Sequence, residues 1–137
     1  MAEVSINYWA LIAAAVANMA IGALWYGPVF GKQWKKLMGL TEEAMKTMPL
    51  TAGQAMLGGA LNSLIIAYVL LFFTVTWVTP TLGGALSAAF WIWLGFVATT
   101  QIGSYLWEGK PLKLFFLNAA YSLVAYGVMA TILVLWQ

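Results

Sequence analysis

The side chains that could do chemistry in this chain are uncharged amides, hydroxyls and phenols set within long apolar runs. Asn18, Asn62 and Asn118 each lie in a different run, and Thr100 and Gln101 lie in another. Amides and hydroxyls donate and accept hydrogen bonds, but they are poor general bases and poor nucleophiles. These residue types therefore indicate binding or passage of a small neutral or cationic species, and they argue against an enzyme.

The overall composition also argues against an enzyme. Among 137 residues the only charged ones are six Lys and four Glu, and Arg, Asp, His and Cys do not occur. Charged residues make up 7 % of the chain, whereas a soluble domain usually has about 25 %. Zinc sites and nucleophile relays built on Cys or His are excluded. The composition predicts an integral membrane protein without metal, cofactor or nucleic-acid partner.

The elements that must position these side chains are apolar segments between the charges. Uncharged stretches cover residues 4–31, 47–107 and 114–137, and a spanning helix needs roughly 20 residues. The middle stretch has room for two spans, divided at the turn signal Thr79-Pro80-Thr81. The predicted spans are residues 6–27, 52–77, 81–107 and 112–136. Residues 1–137 are thus predicted to form a single all-α membrane domain, a four-helix bundle.

The prolines and the apolar pattern both favour helices over barrel strands. No alternation of period two runs through the apolar segments, so a β-barrel is excluded. A proline inside a helix removes a backbone hydrogen bond. The four prolines lie at the predicted span boundaries: Pro28, Pro49, Pro80 and Pro111. Their positions predict helices without interruption.

Lysine placement predicts the orientation. The loops 28–51 and 108–113 contain all six lysines, whereas the loop between the second and third spans and the C-terminal tail contain none. The positive-inside tendency places both lysine loops in the cytoplasm and both termini outside the cytoplasmic membrane. Aromatic residues agree with this orientation, since Trp9, Trp77 and Trp136 would form the outer belt. The inner belt would contain Trp25, Tyr26, Trp34, Tyr105 and Trp107.

The first lysine loop has a helical pattern of its own over residues 29–38. Trp34 falls on an apolar face, and Lys32, Lys35 and Lys36 occupy the opposite face. This pattern predicts a short helix in the membrane interface, with its lysines near anionic lipid headgroups. The alternative is a lysine-rich linker that only sets the topology.

Capping signals mark the ends of three helices around this loop. Gly39 is a candidate left-handed C-cap for the interfacial helix. A second short helix is predicted to begin at Thr41, with Glu42 and Glu43 in its first turn. Thr51 and Gln54 match the capping box that would start the second span.

The two halves of the chain resemble each other at a separation of 82 residues. Tyr8-Trp9 matches Phe90-Trp91, and residues 24–27 match residues 106–109. The match predicts two tandem transmembrane hairpins related by a pseudo-two-fold axis along the membrane normal. The alternative is an accidental match, because Trp and Gly are frequent at membrane boundaries.

The polar side chains fall in one layer of the predicted bundle. At about 1.5 Å per residue they lie roughly 9–15 Å from the inner boundary. The predicted site residues are Asn18, Asn62, Thr100, Gln101, Asn118 and Ser122, with Tyr68 and Tyr121 as walls. In one interpretation these groups are interhelical glue, at roughly 0.6–2 kcal/mol per bond. In others they line a polar pocket or pore, or they face another subunit. Because four short helices bury little on their own, the bundle is predicted to pack as a homo-oligomer, a dimer or larger.

Several motifs resemble one family of small membrane proteins. They are Asn7-Tyr8-Trp9, residues 22–28, Met38-Gly39-Leu40-Thr41-Glu42-Glu43 and Leu106-Trp107-Glu108-Gly109. Over nearly its whole length the chain is similar to the proteins grouped as domain of unknown function 1761. The resemblance implies a multi-pass membrane protein and carries over no activity.

The residues and the resemblance together give two functional hypotheses. The first is a channel or carrier-like protein with a small amide-lined polar site. The alternative is a structural or accessory membrane protein without transport activity, in which the amides only hold the helices together.

Overall fold

The computed structural model describes residues 6–77 and 80–137. Four of its helices are long and apolar enough to cross a membrane: α1 (Tyr8–Val29), α4 (Ala52–Val75), α5 (Leu82–Leu106) and α6 (Leu112–Leu135). Two short helices, α2 (Gly31–Met38) and α3 (Glu42–Lys46), connect α1 to α4. The described residues contain no strand. The predicted all-α membrane bundle is confirmed.

The four long helices alternate in direction, which gives the bundle two distinct ends. We call the end that holds residues 30–51 and 107–111 the basic end, because every lysine lies in or beside these segments. We call the opposite end, where α1 begins and α6 ends, the terminal end. Asn7 joins both chain ends there, because its Nδ2 donates to the carbonyl of Trp136 at 2.9 Å.

α6 occupies the centre of the bundle. It packs along α1 on one side and α5 on the other, and α4 packs mainly against α1. The tightest packing lies in the terminal half, where small alanines let the backbones approach closely. This core consists of Ala10, Leu11, Ala14, Ala67, Leu70, Leu71, Met129 and Leu133.

The basic half of α4 stands apart from this core. Residues 52–58 are all exposed, and the first partly buried residues of α4 are Gly59 and Ala60. The divergence of α4 from the bundle opens a gap beside α1 in the basic half of the molecule.

The prediction of uninterrupted helices is wrong in detail. α1 ends in a π-helical turn, Trp25–Val29, that contains Pro28. Because proline has no N–H to donate, the chain closes a wider turn, in which Phe30 N–H donates to the carbonyl of Trp25 at 2.8 Å. Two further π-helical segments, Phe72–Trp77 and Trp93–Ala98, occur in the second and third spans.

The predicted caps around the lysine loop are confirmed. Gly39 ends α2 with φ of 70°, which only glycine adopts freely. The hydroxyl of Thr41 accepts from Ala44 N–H at 3.1 Å and so caps α3. Thr51 and Gln54 exchange the two hydrogen bonds of a capping box at the start of α4.

α2 is amphipathic, as its residue spacing predicts. Lys32, Lys35 and Lys36 are exposed, whereas Trp34 is half-buried against Tyr26, with their ring centroids 5.4 Å apart. The contact fixes α2 across the basic end of the bundle. Binding of anionic headgroups by its lysines stays a prediction.

The internal repeat also stays a prediction. Its equivalent residues Trp9 and Trp91 are both exposed, but Trp25 and Trp107 differ. Trp25 is half-buried and donates to the carbonyl of Leu117, whereas Trp107 is 86 % exposed.

Of the residues used to predict boundaries, Thr79 and the side chain of Trp77 lie outside the described part of the chain.

Candidate functional site

Asn18 is the centre of a buried cluster that joins three helices. Its Nδ2 donates to Ser63 Oγ of α4 at 2.8 Å, and its Oδ1 accepts from the Tyr121 hydroxyl of α6 at 2.6 Å. Only 7 % of the residue is exposed. Both ends of this amide are therefore satisfied by neighbouring helices, as a polar group within hydrocarbon requires.

A second cluster joins α1, α5 and α6 nearer the basic end. The Tyr26 hydroxyl donates to Asn118 Oδ1 at 2.7 Å. Gln101 Nε2 donates to Ser122 Oγ at 3.0 Å, and that hydroxyl donates to the carbonyl of Asn118 at 3.0 Å. Edge-to-face contact between Tyr26 and Tyr121, at 5.2 Å, connects the two clusters. Together they form one polar network.

Two indole groups add bonds to the backbone of α6. Trp25 Nε1 donates to the carbonyl of Leu117 at 3.2 Å, and Trp93 Nε1 donates to that of Ala119 at 2.9 Å. The sequence predicts Trp25 and Tyr26 as interfacial aromatics, whereas in the structure both bond inward to α6. Their spacing of seven and eight residues from Asn18 is the signal that could have placed them on its face.

Asn62 behaves differently from the other amides. It is exposed although it lies near the middle of α4, and its side chain makes no hydrogen bond to any described residue. Ser63, one position on, is fully buried and bonds Asn18 instead. The structure thus presents an unpaired primary amide in the middle of a membrane-length helix.

Asn62 lines a cleft of about 800 Å³ between α1, α4 and α6. Other residues of its walls are Val16, Met19, Gly22, Tyr26, Met56 and Gly59. Val16 and Tyr26 lie ten residues apart, so the cleft extends about 15 Å along α1, half of a hydrocarbon core of about 30 Å. The packed alanine and leucine core lies beyond it toward the terminal end.

Two glycines keep this cleft open. A Cβ atom at Gly22 would come within 3.2 Å of the Tyr121 hydroxyl oxygen, and one at Gly59 would contact Met19 Sδ at 3.4 Å. Both glycines line the cleft, so a larger side chain at either position would occupy part of its volume. Gly58, directly before Gly59, faces open space instead.

Two predicted site residues lie outside both the network and the cleft. Thr100 is exposed, and its hydroxyl donates to the carbonyl of Phe96 in its own helix. Tyr68 is exposed on α4, with its ring 5.5 Å from that of Phe72. Of the predicted residues, the structure brings together Asn18, Gln101, Asn118, Ser122 and Tyr121 in the network, and it leaves Asn62 facing the cleft.

A smaller cavity of about 330 Å³ lies at the basic end of α5 and α6. Thr100, Gln101, Ser104, Glu108 and Asn118 contribute to its walls. The Oε1 atom of Gln101 is buried there without a hydrogen-bond partner in the described chain. Because Gln101 already donates to Ser122, this cavity adjoins the polar network and does not form a separate cluster.

The chemistry of the whole site is that of hydrogen bonding between uncharged groups. No group of three or more His, Cys, Asp or Glu side chains occurs within residues 6–77 and 80–137. Within the network most donors and acceptors are engaged with one another, but Gln101 Oε1 has no partner among the described residues. Asn62 differs from the network amides because its whole primary amide, donor and acceptor alike, makes no hydrogen bond to a described residue.

Comparison with known proteins identifies a family. The model of a family described as "Protein of unknown function (DUF1761)" matches residues 9–134. Searches of curated proteins and of solved structures found no match. The family match covers all four spans and the lysine loop. The chain therefore belongs to the DUF1761 family of proteins of unknown function.

Proposed function

We propose that this multi-pass membrane protein is carrier-like and binds a small uncharged molecule at Asn62. The observation that carries the proposal is the free amide of Asn62 in the cleft. An amide in hydrocarbon without partners costs several kcal/mol. A bound molecule with a hydrogen-bonding group would remove that cost.

The position of the cleft favours a carrier over a continuous pore. Carrier sites lie near the bilayer midplane, with access from one side at a time. The cleft extends from the middle of α1 toward the basic end, and buried residues such as Ala14, Leu71 and Met129 pack against one another on the terminal side. This arrangement corresponds to a site whose route to the terminal end is closed by the packed core.

The cleft walls favour an uncharged ligand. They contain no Lys or Glu, and a charge held near the middle of a membrane needs a partner of opposite sign or water. The two phenols in the walls already donate to Asn18 and Asn118. The proposed role is binding and translocation without catalysis.

The alternative, a structural protein with the amides as glue, has support from the polar network. Asn18, Gln101 and Asn118 all bond across helix interfaces, as interhelical glue does. That role accounts for these three amides but not for Asn62. The structural role therefore belongs to the three network amides and the proposed binding role to Asn62. Substitution of Asn62 is the change that tests transport.

The binding proposal predicts that an uncharged probe stabilises the protein through Asn62. The purified protein is heated in detergent with urea, glycerol or 1-dodecanol, or with the charged counterparts guanidinium, glycerol 3-phosphate or dodecanoate. At least one uncharged probe is expected to raise the midpoint of thermal unfolding. Asn62→Leu should weaken that binding about 5–10-fold, because one amide hydrogen bond contributes on the order of 1 kcal/mol.

Thr99→Val is the matched control for this measurement. Thr99 is exposed in α5 and its hydroxyl bonds only its own helix, so its loss should leave probe binding unchanged. The proposal is wrong if no uncharged probe raises the midpoint, or if the same probe stabilises the wild type and Asn62→Leu equally.

Orientation gives a separate prediction. We propose that the basic end is cytoplasmic, because all the lysines lie there. The chain contains no cysteine, so Lys46→Cys introduces a single thiol in α3. A membrane-impermeant maleimide should label it in inverted vesicles and not in intact cells. Labelling in intact cells would reverse the orientation.

A further inference from the structure

The cleft opens sideways into the region that lipid would occupy. Val16 and Ala20 of α1 and Met56 of α4 form its rim, and all three are exposed. Val16 lies about 12 Å along α1 from Tyr8, well inside a hydrocarbon core of about 30 Å. A molecule dissolved in the bilayer could therefore reach Asn62 without passing through water.

The cleft also continues along the seam between α1 and α4. A smaller apolar cavity of about 250 Å³ adjoins it, and Val16 and Met19 line both. Ile12 and Leu64 extend this cavity toward the terminal end. From Ile12 to Tyr26 the seam is about 21 Å long. Its shape suits an elongated molecule better than a compact solute.

Most of the seam is apolar, and its polar side chains other than Asn62 are engaged within the protein. Methionine and aliphatic side chains form most of its walls. Ser63 accepts from Asn18, and Tyr121 donates to Asn18. The Asn62 amide alone offers both a free donor and a free acceptor. One hydroxyl or carbonyl group on the ligand would satisfy it.

We propose that the molecule bound in the cleft is a lipid-soluble, uncharged compound with one hydroxyl or carbonyl group, which enters between α1 and α4 from the bilayer. This inference rests on the proposed function and specifies its ligand class. The volume of the cleft, about 800 Å³, is within the usual range for such ligands.

A photoreactive long-chain alcohol tests the inference. The protein is reconstituted in phosphatidylcholine vesicles that contain an alcohol with a diazirine in its chain, irradiated, and mapped by mass spectrometry. Adducts are expected along the seam, at Val16, Met19 and Met56. The matching diazirine fatty acid is used at alkaline pH, where its carboxyl group stays ionised in the bilayer. It should label these residues about ten-fold less than the alcohol under the same conditions, because the cleft walls contain no cation.

Two adjacent glycines supply matched variants. Gly59→Leu places a side chain in the cleft and should lower the seam adducts about ten-fold by steric exclusion. Gly58→Leu makes the same change in composition where the structure leaves open space, and it should keep labelling within about two-fold of wild type. Asn62→Leu, which keeps the volume and removes the amide, should lower the adducts about 5–10-fold.

Each other outcome overturns the inference in a recognisable way. If urea or glycerol stabilises the protein through Asn62 but 1-dodecanol does not, entry from the bilayer is wrong and the proposed function stands. If none of these probes binds, both the inference and the proposed function are wrong. Equal labelling of Gly59→Leu and Gly58→Leu contradicts the seam as the site. Cross-links from Met56→Cys to a second copy would show that another chain fills the gap.

Discussion

Replacing Asn18 by leucine is expected to lower the free energy of unfolding by about 2 kcal/mol. The substitution keeps the volume of the side chain but removes its bonds to Ser63 and Tyr121. Interhelical bonds in membranes contribute roughly 0.6–1.7 kcal/mol each. Ser63 would be left without its partner at a helix interface, whereas Tyr121 would keep its longer bond to the Asn18 backbone carbonyl at 3.3 Å. Reversible unfolding in mixed micelles with increasing sodium dodecyl sulfate, followed by circular dichroism, measures the change.

Asn62→Leu is the control for that experiment. It makes the same chemical change on α4, near the same depth, at a residue without a described partner. Its unfolding free energy should stay within about 0.5 kcal/mol of wild type or rise, because no interhelical bond is lost. Equal destabilisation by the two substitutions would contradict the division between a structural network and a free amide.

Truncation of Leu133 to alanine should also destabilise the bundle, by about 1–2 kcal/mol. Leu133 is fully buried at the terminal end of α6, in the core beside Met129. Lipid is as apolar as leucine, so the transfer contribution that operates in water is absent here. The loss comes from the cavity and the dispersion contacts that it removes.

Leu135→Ala separates packing from composition. Leu135 lies two residues further along the same helix and is 67 % exposed, so its truncation should change the unfolding free energy by less than about 0.5 kcal/mol. The same unfolding measurement applies to both variants. A loss at Leu135 as large as that at Leu133 would show that this part of α6 packs differently.

The number and type of the spans could be predicted from the sequence because they follow from simple physical requirements. Spans must avoid charge and reach a minimum length, and the lysines and glutamates leave room for four of them. The helix caps at Gly39, Thr41 and Thr51 could also be predicted, because each depends only on residues close to it in the sequence. The π-helical turn at Pro28 could not be predicted, because a proline near a span boundary indicates the end of the helix and not a wider turn within it.

The faces of the helices could not be predicted in the same way. In water, an apolar stripe shows which side of a helix is buried. In lipid both sides are apolar, and only neighbouring helices decide which residues turn inward. Ser63 and Asn62, one residue apart, illustrate this: Ser63 is buried against Asn18, and Asn62 faces the cleft.

Depth, by contrast, was a useful signal for the candidate site. The amides that share one predicted layer do include three members of the polar network: Asn18, Gln101 and Asn118. Thr100 shares that depth and still lies outside the network, because its hydroxyl bonds its own helix. Depth selects candidates, and packing decides which of them meet.

Solid-state NMR of the asparagine side chains tests the central claim most directly. The chain has four asparagines, Asn7, Asn18, Asn62 and Asn118, so selective ¹⁵N-asparagine labelling gives a spectrum that single substitutions can assign. In bilayers the Asn62 amide should receive magnetisation from lipid-chain or water protons, and the Asn18 amide should receive it only from protein. Protein contacts alone at Asn62, or lipid contact at Asn18, would contradict this account.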